Sequence, residues 1–334
     1  MPELRLNMIS RDWVIFPAEK RKRPEEFIGA RERKKHPEFV ATCPFCPGNE
    51  EKSPGERYRV HNENGWDVRV VLNKFSVLCV DGERKRVNEG LKKSVNGVGS
   101  HELVIESPLH NHTTALMPHG HLAKLLEAYR DCLIEAYKDP RVEHVLIFKN
   151  SGHESGTSIE HPLSQIVGLP ITPFQVRSRI ESAMRYFDDT GECLLCNTIG
   201  QELADGARIL FTTGHFVSFV PYAAASPFHV WIFPKRHSGY FGDIRPEEVV
   251  DLAAHLKSVM SRIYYGLAHP DFNYIIKSGR PSHSDSAYIH WYLTIVPRVA
   301  MTSGFELGSG MFINPLLPEA SADFLRRVKI PEYA

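Results

Sequence analysis

Short alternating apolar runs and longer amphipathic ones follow one another along this chain. Arg11 to Pro17 reads as a first strand, followed by a basic turn from Lys20 to Arg23. Residues 24–41 are charged and weakly patterned, a loop. The run Val68 to Phe75 is strand-like and ends in Asn73-Lys74-Phe75, whereas residues 81–99, rich in Lys, Gly and Asn, read as a mobile surface excursion. His101 to Glu106 is a further strand. Pro118 and Gly120 then punctuate the chain before a helix from about His121 to Tyr137, in which Leu122, Leu125, Leu126, Tyr129 and Leu133 share one face. Val142 to Phe148 is a third apolar strand. After Asn150 it opens into a small-residue loop, Ser151 to Ser158, that leads to His161. A helix from about Thr172 to Tyr186 closes this half, and Asp188 to Gly191 breaks the pattern.

The second half repeats the series. Strands at Ile209 to Phe211, Phe216 to Val220 and His229 to Phe233 precede His237; a helix spans about Pro246 to Tyr265, and strands at Phe272 to Lys277 and Ile289 to Pro297 finish it. The expected architecture is α+β: two tandem halves, residues 1–190 and 191–334, as two related antiparallel sheets with helices packed on one side.

Composition narrows the function. The chain has 334 residues, room for two cores, and its 40 basic and 40 acidic side chains cancel. This balance gives no electrostatic reason to expect nucleic acid or a membrane as partner, and favours a small ligand. No apolar stretch approaches a bilayer span, and Met1 to Arg11 carries no secretory pattern, so a cytoplasmic protein is expected.

Six cysteines are too few for a disulfide scaffold, and four of them form two close pairs. Cys43 and Cys46 are followed by His110 and His161; Cys193 and Cys196 are followed by His237 and His290. The histidines stand 51 residues apart in the first set and 53 in the second. A redox dithiol needs no such downstream histidines, whereas two thiolates and two imidazoles complete a zinc tetrahedron with no position left for water. Two structural Zn2+ sites are therefore expected. Cys79 and Cys132 have no partners in this register and read as small core residues.

The order Arg23-Pro24, Cys43 to Cys46, Val68 to Phe75, Glu106 to His110, Asn150 with Gly156 and Ser158, His161-Pro162-Leu163-Ser164-Gln165 and Gly304-Phe305-Glu306-Leu307-Gly308 resembles the galactose-1-phosphate uridylyltransferase family of the histidine-triad superfamily. The resemblance runs through nearly the whole chain. It implies two fused histidine-triad-like halves, a homodimer, and transfer of a nucleoside monophosphate from a nucleotide sugar to a sugar phosphate or phosphate through a nucleotidyl-histidine. By position it implies zinc at Cys43, Cys46, His110 and His161, and nucleotide contacts from Asn73, Asn150, Gly156, Ser158 and Gln165. Arg23 lies in a basic segment near these, and Glu306 in a stretch that approaches the sugar. Close backbone N–H groups, a hydroxyl and two amides suit an α-phosphate, because they stabilise charge without adding a competing nucleophile. The second metal set and the stretch from Gly304 to Pro315 look more like the two-zinc members, which include ADP-glucose phosphorylases.

One position departs from the family. The nucleophilic histidine belongs two residues after the metal histidine, and this chain has Leu163 there, which cannot attack phosphorus. The corresponding residue of the second half is Tyr292, a packing or hydrogen-bonding residue. Three readings follow: a transferase in which another histidine, His153 before His112 or His283, or direct attack replaces the missing group; a nucleotide-sugar-binding protein without turnover; and an ordinary enzyme with one substitution. Gln165 and Ser158 remain as catalytic stabilisers. UDP-glucose with a hexose 1-phosphate is the leading substrate pair and ADP-glucose with phosphate the alternative.

Overall fold

The computed structural model describes residues 1–29, 36–53, 55–63 and 65–331. Part of the loop expected at 24–41 and the last three residues of the expected second half lie outside these. The chain opens with β1 (Glu3–Leu6) and β2 (Trp13–Phe16), then gives β3 (Glu56–Asn62), β4 (Gly65–Leu72), β5 (Arg86–Glu89), β6 (Lys92–Val95), β7 (Ser100–Ile105), helix α1 (His119–Ala136), β8 (His144–Ser151) and β9 (Leu163–Leu169). Helices α2 (Phe174–Thr190) and α3 (Leu194–Asp205) follow, then β10 (Ile209–Thr212), β11 (Phe216–Phe219), β12 (Val230–Pro234), α4 (Pro246–Gly266), β13 (Phe272–Lys277), β14 (Tyr292–Pro297), α5 (Gly304–Ser309), β15 (Phe312–Ile313) and α6 (Pro318–Arg327).

The two halves do not form separate sheets, as the sequence led us to expect. Ten strands make one antiparallel sheet in the order β10-β11-β12-β14-β13-β8-β9-β7-β4-β3. The first half supplies β3, β4, β7, β9 and β8, and the second supplies their counterparts β10, β11, β12, β14 and β13. The halves join where β8 pairs with β13, from Phe272 opposite Ser151 to Ile276 opposite Ile147. That pairing satisfies backbone donors and acceptors that two separate sheets would leave at open edges. A small sheet, β1-β2-β15, ties the start of the chain to its end, and β15 joins it in parallel.

Alternation sends successive side chains to opposite faces. On one face Val70, Val104, Ile147, Ile166 and their second-half counterparts pack against α1, α4 and α6 in one continuous core. Each fully buried leucine of α1, such as Leu122, Leu125 and Leu126, contributes about 1.5–3 kcal/mol by leaving water. On the opposite face α2 and α3 cover the second half's strands through Ala183, Leu194, Leu195 and Ile199. The first half carries only a small cluster there, in which Leu163 packs with Trp66, Val71, Leu103 and Ile105.

Several expectations shift. Residues 81–99 contain the exposed hairpin β5–β6, with Arg86 opposite Val95. Cys79 is exposed, not a core residue, because it sits at an isolated bridge to Val98 before this hairpin; Cys132 is buried on α1. Helix α2 runs on to Thr190 and ends at Gly191, whose left-handed φ of 74° lets its N–H reach Phe187 O. Strands β1 and β3 and helices α3 and α6 were not anticipated. Among the described residues, no helix is long and apolar enough to cross a membrane.

Candidate functional site

Three segments converge ahead of β9 and fix where that strand begins. Cys43 and Cys46 come from a tight turn, His110 from the segment after β7, and His161 from the loop two residues before Leu163. His161 Nδ1 lies 3.3 Å from His110 Nδ1, 3.7 Å from Cys43 Sγ and 3.8 Å from Cys46 Sγ, and Cys46 Sγ is 3.6 Å from His110 Nδ1. A tetrahedral ion with metal–sulfur bonds of about 2.3 Å and metal–nitrogen bonds of about 2.05 Å requires edges of about 3.3–3.8 Å, so the donor set fits. Burial lowers His161 to about 4, which keeps the imidazole in its neutral, ligating form. Its Nε2 faces Ser107 O at 2.9 Å and so orients the ring. Glu160 approaches His110 Nε2 at 3.7 Å and His36 at 3.2 Å, completing an outer layer.

The second set repeats this arrangement. Cys196 Sγ lies 3.2 Å from His237 Nδ1 and 3.4 Å from His290 Nδ1, and all four donors fall within 4.8 Å of one another. His237 Nε2 meets Ser286 O at 2.8 Å and His290 Nε2 meets Pro234 O at 3.0 Å. Hydrogen bonding from Cys196, opposed by burial and aided by His237 and His290, lowers the Cys193 thiol. Both clusters can hold a metal ion.

Beyond the first cluster, β9 presents Leu163, Gln165 and Val167 on the face that α2 and α3 leave uncovered. Gln165 Oε1 lies 2.8 Å from His101 Nε2, which is 3.0 Å from Asn73 Nδ2. Asn73 Oδ1 accepts from Phe75 N at 2.9 Å, closing the turn after β4. On the other side of β9, Asn150 Oδ1 accepts from Asn273 Nδ2 at 2.8 Å, and the same amide donates to Ser155 O at 3.0 Å. A polar strip of Asn73, His101, Gln165 and Asn150 thus crosses four adjacent strands.

The loop after Asn150 is shaped by glycine and anchored from the second half. Gly152 has φ 86° and Gly156 φ 93°, both left-handed, with a 3-10 turn between them. Glu154 N donates to Asp271 Oδ2 at 2.8 Å, and Arg298 Nε donates to Glu154 O at 3.1 Å. A Cβ on Gly152 would meet the Asp271 carboxylate at 2.0 Å. Gly156 and Ser158 are exposed on the stretch leading to His161.

The structure brings Asn73, Asn150 and Gln165 together on one surface. It places others elsewhere. The His153 side chain is 92% exposed, with Nδ1 4.0 Å from Glu154 Oε1. His112 Nδ1 bonds Ser107 Oγ at 3.0 Å, and burial lowers its pKa; His283 closes its own turn at Arg280. Arg23 caps a short 3-10 turn, and Glu306 accepts from Ser303 N and Oγ at the start of α5, so both engage their own turns. Leu163 is 4% exposed within its apolar cluster. Tyr292 is likewise buried, stacked on Phe233 at 4.7 Å, with Arg179 donating to its hydroxyl at 3.5 Å.

His101, Asn273, Asp271 and Arg298 were missed. His101 had a signal, since it shares the alternating face of Leu103 and Ile105. The other three reach the loop from the second half by the β8–β13 pairing, which no local pattern reveals.

A duplicated sheet-and-helix unit, with a Cys2His2 cluster able to hold a metal at the same point of each copy and a polar strip beside one of them, defines a tandem scaffold. Residues 1–173 match the family described as galactose-1-phosphate uridyl transferase, N-terminal domain, and residues 179–327 match its C-terminal domain. The chain belongs to the galactose-1-phosphate uridylyltransferase family of nucleotidyltransferases. It is 33% identical to an ADP-glucose phosphorylase of Arabidopsis thaliana, over 98% of this chain and 93% of that protein. To a galactose-1-phosphate uridylyltransferase of Thermotoga maritima it is 27% identical, over 99% of each. A crystal structure of an Arabidopsis thaliana ADP-glucose phosphorylase with bound ADP-glucose superposes with a TM-score of 0.82 at 31% identity, covering 99% of this chain and 100% of that one.

Proposed function

We propose that this chain binds a nucleotide sugar across the strip formed by Asn73, Asn150 and Gln165, with Gly156 and Ser158 holding its phosphates. It transfers the nucleotidyl group to phosphate or a sugar phosphate. An ADP-sugar is the leading donor, on the likeness to the plant phosphorylase, and a UDP-sugar is the second. In this reading residues 1–190 carry the nucleotide site, residues 191–334 support it, two copies form a homodimer, and both clusters hold zinc. A closed Cys2His2 zinc supplies rigidity, not a reactive ligand position.

The observation that carries the mechanism is Leu163, the first residue of β9, buried in an apolar cluster beside Gln165. No imidazole stands there to accept the nucleotidyl group. The acceptor's phosphate oxygen therefore attacks the α-phosphorus directly, and the bond from that phosphorus to the bridging oxygen breaks as the sugar 1-phosphate leaves. Gln165 and the loop N–H groups stabilise the charge on the nonbridging oxygens. Arg23 is kept for the nucleotide side and Glu306 for the sugar side, and His153 is the histidine that would replace the missing nucleophile if attack is not direct.

A second reading, binding without turnover, also rests on Leu163. Metal-replete protein incubated with ADP-glucose or UDP-glucose and phosphate, followed by phosphorus NMR and mass spectrometry, separates the readings. Direct transfer releases nucleoside diphosphate and glucose 1-phosphate with no protein adduct. An adduct on His153 would refute direct attack, and binding with no products would leave the second reading. If neither sugar nucleotide binds, both fail. In Leu163→His, an adduct at the new imidazole is expected, with inversion at phosphorus changed to net retention.

A further inference from the structure

The strand ladders relate the two halves residue by residue. Leu163 and Tyr292 each open a strand two residues after a metal histidine. Gln165 stands opposite Leu103 and Thr294 opposite Trp231, which makes His229 the counterpart of His101. The hydrogen bond is repeated as well: His101 Nε2 is 2.8 Å from Gln165 Oε1, and His229 Nε2 is 2.6 Å from Thr294 Oγ1. Phe148 pairs with Gln165 and Ile275 with Thr294, so Asn150-Ser151-Gly152 corresponds to Lys277-Ser278-Gly279. A lysine stands where the first half has the asparagine of its nucleotide strip.

The second copy of this surface is roofed by α2. Between roof and sheet lies a narrow cleft of about 50 Å³, lined by Val176, Ile180 and Leu195 and by the cations Lys277 and Arg179. Past Ile180 and Gly279 it continues into a second cleft where His144, Arg177 and Arg280 stand. The carboxylates nearby are committed or turned outward: Glu143 pairs with Arg84 and with Arg280 at 2.9 Å, and Glu181 is exposed. Among the described residues Lys277 makes no ion pair, and the Arg179 guanidinium makes only its 3.5 Å bond to Tyr292. Burial and the nearby Arg179 lower Lys277 to about 7; burial, then Arg179 and Lys277, lower His144 to about 4. Cations that depress one another's protonation inside a cleft are complementary to an anion.

We propose that the strands of the second half, roofed by α2 of the first, form a second binding site, mirroring the nucleotide strip, for a small phosphomonoester with a compact apolar group. The phosphate sits between Lys277 and Arg179, and the apolar group lies against Val176, Ile180 and Leu195. Two cationic side chains suit a dianion better than a carboxylate, and the planar guanidinium forks onto two phosphate oxygens. The site binds and does not react, since its nucleophile position holds Tyr292, stacked on Phe233 with its hydroxyl accepting from Arg179. It does not depend on the reaction proposed for the first half.

Phenyl phosphate is the probe, titrated calorimetrically into the metal-replete full chain, with benzoate and phenol as controls. Wild type is expected to bind phenyl phosphate, benzoate at least about tenfold more weakly, and phenol not at all. Lys277→Gln and Arg179→Gln should each weaken binding about tenfold or more, and Gln165→Ala should leave it unchanged. Lys277→Arg, which keeps the charge, should retain binding and guards against a misfolded Lys277→Gln. No binding by wild type, benzoate as tight as phenyl phosphate, or binding lost in Gln165→Ala but kept in Lys277→Gln would each overturn the proposal.

Discussion

Glu106 lies directly after β7, fully buried, and receives a charge-assisted hydrogen bond from the equally buried Lys149. Tyr129 and Tyr274 also donate to it, at 3.1 and 3.2 Å, and Tyr129 is 2.6 Å from Ser164 Oγ, the residue between Leu163 and Gln165. Burial first, and then the Glu106 charge, push both phenols well above their usual range. Glu106→Gln strands the Lys149 ammonium in the core, for a cost of about 3–5 kcal/mol. Lys149→Met leaves Glu106 its two phenol donors, each worth about 1.5–3 kcal/mol to a charged acceptor, so the expected loss is smaller, about 2–3 kcal/mol. The double variant removes both charges and should cost only about 1 kcal/mol, which makes the coupling about 4 kcal/mol or more. Urea unfolding of the metal-replete proteins, run as a double-mutant cycle, measures it. Single losses that simply add to the double within about 0.5 kcal/mol would refute the claim that the pair acts as one buried unit.

Gly152→Ala should displace the loop after Asn150, because φ 86° and the Asp271 carboxylate leave no place for a Cβ; the readout is weaker binding of ADP-glucose, and unchanged affinity would show that the loop does not touch the ligand. Burial holds His229 and His255 at about 4 against an ordinary 6.5, so the unfolded state takes up their protons first and stability falls as pH drops through that window. Each contributes up to about 3 kcal/mol of this loss, and His255→Gln should flatten the curve of urea midpoint against pH; a parallel curve would contradict it. Without an anion, Lys277→Met should raise the melting temperature, fully below pH 7 and progressively less as pH rises toward 10.5, because the native lysine is neutral above about 7 and the unfolded lysine also sheds its proton near 10.5. Chelation should lower the melting temperature of wild type, and Cys43→Ser and Cys193→Ser should each remove part of that response; an unchanged melting temperature after chelation would deny the metal a structural role.

The sequence made the duplication legible because metal ligands must converge on a point, and spacing survives where periodicity is ambiguous. It also exposed Leu163, since a motif with one member missing is as readable as a complete one. Helices α1 and α4 were found to within a turn, because long amphipathic segments carry many repeats of one period. Strand β3 escaped because its residues are largely exposed and mostly polar, and α3 because Asn197, Thr198 and Gly200 are weak helix formers that blur its period over twelve residues. The single ten-stranded sheet was beyond local reading: the β8–β13 ladder joins residues more than a hundred positions apart. His101 could have been found by alternation; Asn273 could not, since its role exists only once the halves are paired.

That ladder makes one polypeptide the equivalent of an assembled pair. A chain divided between residues 190 and 191 would leave each piece with an open sheet edge, β8 on one and β13 on the other, whose hydrogen-bonding registers already match. Asn150 and its loop would stay with the first piece, and Asn273, Asp271 and Arg298, which hold that loop, with the second. Affinity for a nucleotide sugar in a mixture of the two pieces would therefore report their reunion. Covalent continuity replaces that encounter with a fixed effective concentration.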